Sequence, residues 1–369
     1  MSSIYVHIPF CKSRCIYCDF YSTTLGEARD RYIDAVLKEL SMRMTTDFHS
    51  PDTIYIGGGT PSVLSVRQLS HLIDGITSLA DCTHITEWTI ECNPDDVTEE
   101  LAAWLACAPV NRVSMGVQTF SDKRLQWLRR RHSSQQAKDA VRTLRIAGIK
   151  NISIDLMFGF PQQTIGEWLT DIDEAVRLKP EHISAYSLMY EEGTVLHRLL
   201  ENGEVEEIDE ELALEMYDRL IDRLAEAGYI QYEISNFSLP SFQSRHNSSY
   251  WHDVPYLGIG AAAHSYDRRR RWWNISDVKR YMAAVEAGQP ETESEEIDDA
   301  THYNDIVTTA LRTRDGILLS TLKPDFRDYI LRQAEPHLQA SRMTVEKGRL
   351  HLTRRGLFTS DDIMSDLIY

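Results

Sequence analysis

Six short β-type runs alternate with amphipathic helical patterns over the first half of this chain, and that alternation narrows the fold more than any other feature. The runs are IYVHI (4–8), TIYIG (53–57), EWTIE (87–91), RVSMGV (112–117), NISIDLMF (151–158) and HISAYSL (182–188). Between them lie helical patterns such as RDRYIDAVLKELSMRM, VRQLSHLIDGITSLA, SSQQAKDAVRTLRIAG and TIGEWLTDIDEAVRL. A strand, a helix of this length and another strand make a parallel βαβ unit. Right-handed crossovers curl successive units toward a barrel. The expected class is α/β: a partial (β/α)6 TIM-like barrel whose working face lies where its strands end.

After about residue 190 the alternation stops. A long helical pattern, ELALEMYDRLIDRLAEAG (211–228), leads into a loop rich in Ser, His and Asn. The acidic stretch ESEEIDDATHYNDI should open a helix, with Asp298 or Asp299 as N-cap. The end, GRLHLTRRGLFTSDDIMSDLIY, reads as a short strand or hairpin and a closing helix. These signals divide the chain into a barrel domain, 1–235, and a smaller α+β domain, 236–369.

The 369 residues carry 39 Lys+Arg against 56 Asp+Glu, a net charge of −17. That balance excludes a general nucleic-acid binder, whose affinity rests on neutralising phosphates, and broad attraction to anionic lipid. No stretch approaches the roughly 18 apolar residues of a membrane span. The start, MSSIYVHIPFCKSRC, has no basic n-region and no long apolar h-region. The expected location is the cytoplasm, with room for transient membrane association; the oligomeric state is not written in the sequence.

In a reducing compartment, clustered cysteines read as metal ligands rather than disulfides. Of the six cysteines, Cys82, Cys92 and Cys107 are scattered, while Cys11, Cys15 and Cys18 form a C-x3-C-x2-C run directly after the first strand. Three thiolates on a tight loop can hold three irons of a [4Fe–4S] cluster and leave the fourth without a protein ligand. Structural zinc sites and ferredoxin clusters want four ligands, and no fourth cysteine or histidine follows at short spacing. A zinc knuckle or chance clustering is the bland alternative.

The spacing, its place after strand one and the flanking YVHIPFC…YCDF resemble the radical S-adenosylmethionine (SAM) superfamily. More narrowly they resemble the branch holding oxygen-independent coproporphyrinogen III dehydrogenase and the haem chaperones of the HemW family, and the likeness runs through almost the whole chain. It implies a radical SAM type of barrel, with a [4Fe–4S] cluster on Cys11, Cys15 and Cys18. It also implies SAM bound at the free iron, where one electron cleaves the sulfonium to a deoxyadenosyl radical. Further positions match one by one. Gly57, Gly58, Gly59 and Thr60 follow strand two, where glycines let backbone N–H groups approach a ligand. Glu91 ends strand three and Gln118 ends strand four. Arg130 sits where the family places a cation for the SAM carboxylate, a role suited to a bidentate guanidinium. Arg129 and Arg131 offer the same group one residue away. Asp155 ends strand five, and Tyr5 and Tyr17 flank the cluster loop. The ordinary alternatives are a solvated carboxylate or a core tyrosine.

Three features lean toward the chaperone branch. The dehydrogenase carries a fourth cysteine two residues beyond the third, where this chain has Phe20, and it has a longer segment ahead of its cluster. The run His246-Asn247-Ser248-Ser249-Tyr250-Trp251 matches the H-N-x-x-Y-W pattern of HemW. An imidazole beside aromatic residues suits haem, so His246, Asn247, Tyr250 and Trp251 are haem candidates; a core motif with His246 and Asn247 hydrogen-bonded to backbone is the alternative. His264, in GIGAAAHSY, reads first as a core histidine. The basic-aromatic run Asp267–Trp273 reads first as a solvated hairpin edge. The resemblance thus implies a haem chaperone that delivers haem to client haemoproteins. Its rivals are a coproporphyrinogen III dehydrogenase or a radical SAM enzyme on another tetrapyrrole-sized substrate.

Overall fold

The computed structural model describes residues 2–45 and 47–369. Parallel strands β1 (Ser3–Ile8), β2 (Thr53–Gly58), β3 (Glu87–Cys92), β4 (Arg112–Gln118), β5 (Ile152–Phe158) and β6 (His182–Ser187) pair in sequence order, with a helix packed over each crossover. They match the six predicted runs to within a residue or so at either end. Several crossover helices start where side chains satisfy their free N–H groups: Ser65 with Gln68, Ser133 with Gln136 and Thr164 with Glu167 form capping boxes.

The strands alternate, β4 up to a bulge at its end. Ile4, Val6, Ile54, Ile56, Trp88, Ile90, Val113, Met115, Ile154 and Leu156 face the helices and are buried in one large core. Their neighbours, including Tyr5, His7, Tyr55, Glu91, Ser114 and Asp155, face the concave side. The concave side is therefore a polar chamber, and the fold keeps it for chemistry.

The sheet does not end with β6. Strands β7 (Ile230–Glu233) and β8 (Asn236–Ser238) add an antiparallel edge beyond β6. At the other edge β9 (Tyr256–Ile259) lies parallel to β1. The hairpin strands β10 (His264–Tyr266), β11 (Arg270–Asn274) and β12 (Thr292–Glu296) continue outward from it. The result is an open twelve-stranded sheet. Residue 235 thus falls in the turn between two paired strands, and Leu257, Ile259, Trp272 and Tyr281 belong to the main core. A second core, from Tyr303 to Leu367, is built by helices Asp299–Ala310, Pro324–Gln339 and Ser360–Leu367. A three-stranded sheet of β13 (Ile317–Leu318), β14 (Met343–Glu346) and β15 (Arg349–Leu352) completes it. Asp298 caps its first helix, accepting from Thr301 N. Among the described residues, no helix is long and apolar enough to cross a membrane.

Candidate functional site

The cysteine loop leaves the end of β1 and is closed at its base. Cys11 N donates to Thr23 O, and Thr23 N to Pro9 O. Its tip is pinned from two sides: Ile16 N donates to Leu128 O, and Leu196 N to Ile16 O. Cys11, Cys15 and Cys18 are free and half-buried. Burial, with Cys15 and Cys11 alongside, pushes the Cys18 thiol up to about 11, and burial also raises Cys11. No group of three metal-ligating side chains among the described residues converges tightly enough for a single ion. Three half-buried thiols on one tight loop, with burial holding Cys11 and Cys18 up, fit a larger cationic body that makes them thiolates.

The glycine loop comes up against this loop from β2. Gly58 takes φ +110°, open to glycine at little cost. A Cβ on Gly59 would lie 2.8 Å from the Pro9 carbonyl carbon and 3.1 Å from Cys11 Sγ. Thr60 Oγ1 is 3.5 Å from the same sulfur. Glu91 crosses the chamber to this loop, accepting from Tyr55 Oη at 2.7 Å and from Gly58 N at 3.0 Å. Burial, aided by the nearby Asp155 carboxylate, raises Glu91 to about 7; burial likewise raises Asp155 to about 6.

Of the three consecutive arginines, the structure brings Arg130 to the thiols. Its Nη1 lies 3.6 Å from Cys15 Sγ, and its Nη2 donates to Asn93 Oδ1 at 2.6 Å and to Gly116 O. Its Nε has no partner. Arg129 is exposed with φ +59°. Arg131 is held by Asp95 and Asp96. Gln118 sits at a β-bulge with φ +70°, its amide so near Gly116 that a Cβ there would be 3.0 Å away. Tyr17 is half-buried beside Arg130, its phenol raised by burial. Tyr5 faces the chamber near Glu91 and also bonds His7 Nδ1 at 3.0 Å. The ten residues expected around SAM therefore converge on one mouth of the chamber, beside the cysteine loop.

The H-N-x-x-Y-W segment is the helix Arg245–Trp251, which plugs the opposite end of the chamber. Glu87 of β3 accepts from the amides of Arg245 and His246 and from Ser244 Oγ, anchoring the helix start. His246, expected as an axial imidazole, is 1% exposed, and neither nitrogen is free. Thr53 Oγ1 donates to Ser3 and so accepts from His246 Nδ1 at 2.9 Å; Tyr250 Oη then donates to Nε2 at 2.9 Å. The lone pair that would face iron is taken, and burial lowers the imidazole to about 3. Asn247 is half-buried, and its backbone N–H donates to Ser244 Oγ. Tyr250 and Trp251 line a different space: a cavity of about 660 Å³ between the cysteine loop and the second core. Phe20, Tyr256, His264, Arg271 and Ile306 complete much of its wall.

A model of the radical SAM superfamily matches residues 5–175. A haem chaperone HemW of Lactococcus lactis is 34% identical over 100% of this chain and 97% of its own length. The Bacillus subtilis protein of the same name is 37% identical over 86% of this chain and 85% of its own length. This chain belongs to the HemW family. Its fold is also that of coproporphyrinogen III oxidase (HemN) from Escherichia coli, with a TM-score of 0.84 over 100% of this chain and 90% of that one at 20% identity. Membership of the superfamily implies a [4Fe–4S] cluster and SAM.

In this HemW-family chain several residues of the site escape sequence inspection. Lys12 Nζ reaches Asp96 Oδ1 at 2.7 Å, and Arg131 and Ser62 bond the same carboxylate. The turn after β3 thereby clamps the cysteine loop to the glycine loop. The run of acids in CNPDD was visible, but nothing in its spacing says which loops it joins. Arg112, 1% exposed at the start of β4, leaves Nε and Nη1 without partners among the described residues; only its position on the inward face of a strand would have singled it out.

Proposed function

We propose that this chain is a haem carrier built on a radical SAM scaffold: it takes up haem and passes it to client haemoproteins. Cys11, Cys15 and Cys18 would hold the [4Fe–4S] cluster. Gly57, Gly58, Gly59, Thr60, Glu91, Gln118, Arg130 and Asp155 would hold SAM at the chamber mouth, with Tyr5 and Tyr17 on either side. When bound, the reduced cluster supplies one electron to a sulfonium. The chain's own groups orient that ligand: an unpartnered guanidinium nitrogen for its carboxylate, and buried carboxylates for its positive centre.

The observation that carries the haem reading is the cavity beside the cysteine loop. Its aromatic lining and its volume of about 660 Å³ suit a planar ligand of porphyrin size. The names of its relatives point the same way. Phe20, 63% exposed, stands on its wall where the dehydrogenase pattern would place a fourth cysteine. Tyr250 and Trp251 meet the ligand there, while His246 and Asn247 secure the helix that presents them. We place the protein in the cytoplasm.

Anaerobically reconstituted protein, offered haem and coproporphyrinogen side by side, tests the reading. Stoichiometric haem uptake followed by transfer to an apo-haemoprotein is expected. Conversion of coproporphyrinogen to protoporphyrinogen would replace the carrier by the decarboxylating enzyme.

A further inference from the structure

We propose that His264 is the axial ligand to the iron of a porphyrin seated in the aromatic cavity. The inference rests on the haem-carrier reading and names the group that reading leaves open. Of the histidines on or beside this cavity, His302 lies against the Asp253 carboxylate at 3.2 Å. His7 donates Nε2–H to Tyr21 O at 3.0 Å and receives Tyr5 Oη on Nδ1 at 3.0 Å. His246 is fully engaged by Thr53 and Tyr250. His264 lines the cavity, is exposed, and among the described residues neither of its nitrogens has a hydrogen-bond partner.

The ring is nevertheless held in place. Its face stacks on Trp273 across the β10–β11 ladder, centroids 5.5 Å apart and planes at 21°, and Trp273 Nε1 donates to Glu293. The turn that delivers it is locked from below. Gly260 N donates to the buried Glu39, Ala261 N donates to Tyr32 Oη, and Tyr32 Oη donates to His7 O. Gly260 (φ +106°) and Ala262 (φ +63°) both take left-handed backbone there. A Cβ on Gly258 would fall 1.9 Å from the His264 carbonyl oxygen, so the close approach of β9 that sets this position needs glycine. An imidazole held by its face with its nitrogens free has a lone pair to offer a metal. Burial and the Arg271 guanidinium lower its pKa, keeping the ring neutral as ligation requires. Arg271 itself is already paired with Glu295 and Asp305, at 2.8 and 2.7 Å. Recognition would therefore rest on the iron bond and on the faces of Phe20, Trp251 and Tyr256 more than on carboxylate pairing.

The test compares wild type with His264→Ala and His264→Gly, using haem and metal-free protoporphyrin as probes. The substitutions should leave cluster iron unchanged. Haem affinity should fall by roughly tenfold or more, with a shifted Soret band and altered EPR. Added imidazole should restore the wild-type spectrum to the glycine variant. Metal-free protoporphyrin should bind all three proteins alike. An unaltered haem spectrum in both variants overturns the proposal while leaving the carrier reading in place, and so does an equal loss of haem and metal-free porphyrin, which would make His264 only a wall residue. A wild-type protein that takes up neither probe overturns the carrier reading itself.

Discussion

Tyr55 and Glu91, on adjacent parallel strands, meet inside the chamber through a 2.7 Å hydrogen bond that holds an enclosed carboxyl over the amide of Gly58. Burial raises that carboxyl from 4.5 to about 7. Between those values the folded chain binds a proton that the unfolded chain has released, so stability falls as pH rises from 4.5 to 7 and is level above. The penalty approaches about 3 kcal/mol at most, each tenfold change in proton affinity being worth about 1.4 kcal/mol. Glu91→Gln should flatten that part of the stability–pH curve in denaturant titrations. Parallel curves for variant and wild type would show that the carboxyl is not desolvated. A cationic ligand beside Glu91 favours its charged form, so calorimetry in buffers of different ionisation enthalpy should record proton release when SAM binds near pH 6.5.

The contact between Gly59 and the cysteine loop gives a steric prediction. Gly59→Ala puts a methyl 2.8 Å from Pro9 backbone and 3.1 Å from Cys11 Sγ, so one of the two loops must move. A loss of roughly 1–3 kcal/mol is expected, with faster loss of cluster iron under air. Thermal melts and timed iron assays measure the two effects. A variant as stable and as well loaded as wild type would mean that the loops are not in this contact.

His246 holds the plug helix, and its removal should be felt as stability. His246→Ala leaves Thr53 and Tyr250 without their shared partner inside the chamber, at a cost of roughly 2–3 kcal/mol. The haem spectrum of the folded variant should match wild type. Burial lowers His246 to about 3, His132 to about 3 and His7 to about 4, against 6.5 when unfolded. The unfolded chain therefore binds protons first as pH falls below 6.5, and the native state loses stability down to the folded values. The alanine variant should lose stability less steeply there, by about 1.4 kcal/mol per pH unit. A changed Soret band with unchanged stability would return His246 to the iron.

The six parallel strands were legible because each alternates apolar residues toward the helices with polar ones toward the chamber, and helix caps punctuate the spaces between. The cysteine run was legible because its members are close in sequence. Strands β9 to β12 were not: β9 ties them to the sheet by pairing with β1, some 250 residues away, and short strands such as HSY carry almost no periodic signal. The same distance hid the division of labour within the H-N-x-x-Y-W segment. One turn of helix puts His246 toward Thr53 and Trp251 toward the cavity, and no local pattern says which neighbour each will meet. His264 read first as a core residue, although the small residues before it suit packing against a planar ligand. The turn they form in fact lifts it into the open.

The three consecutive arginines, equivalent in the sequence, are made distinct by the fold, and this gives the sharpest test of the SAM site. Arg130 has Nη1 on Cys15, Nη2 on Asn93 and Gly116, and an unpartnered Nε; Arg131 is spent on Asp95 and Asp96. Lysine keeps the charge at either position but loses the planar fork. Arg130→Lys should therefore weaken SAM binding by roughly tenfold or more, the loss of one charge-assisted hydrogen bond, with the cluster retained. Arg131→Lys should leave SAM affinity near wild type and instead loosen the clamp that Asp96 makes with Lys12. Equilibrium binding of SAM to anaerobically reconstituted proteins, normalised to iron content, separates the two. The reverse order of effects would transfer the carboxylate-binding role from Arg130 to Arg131.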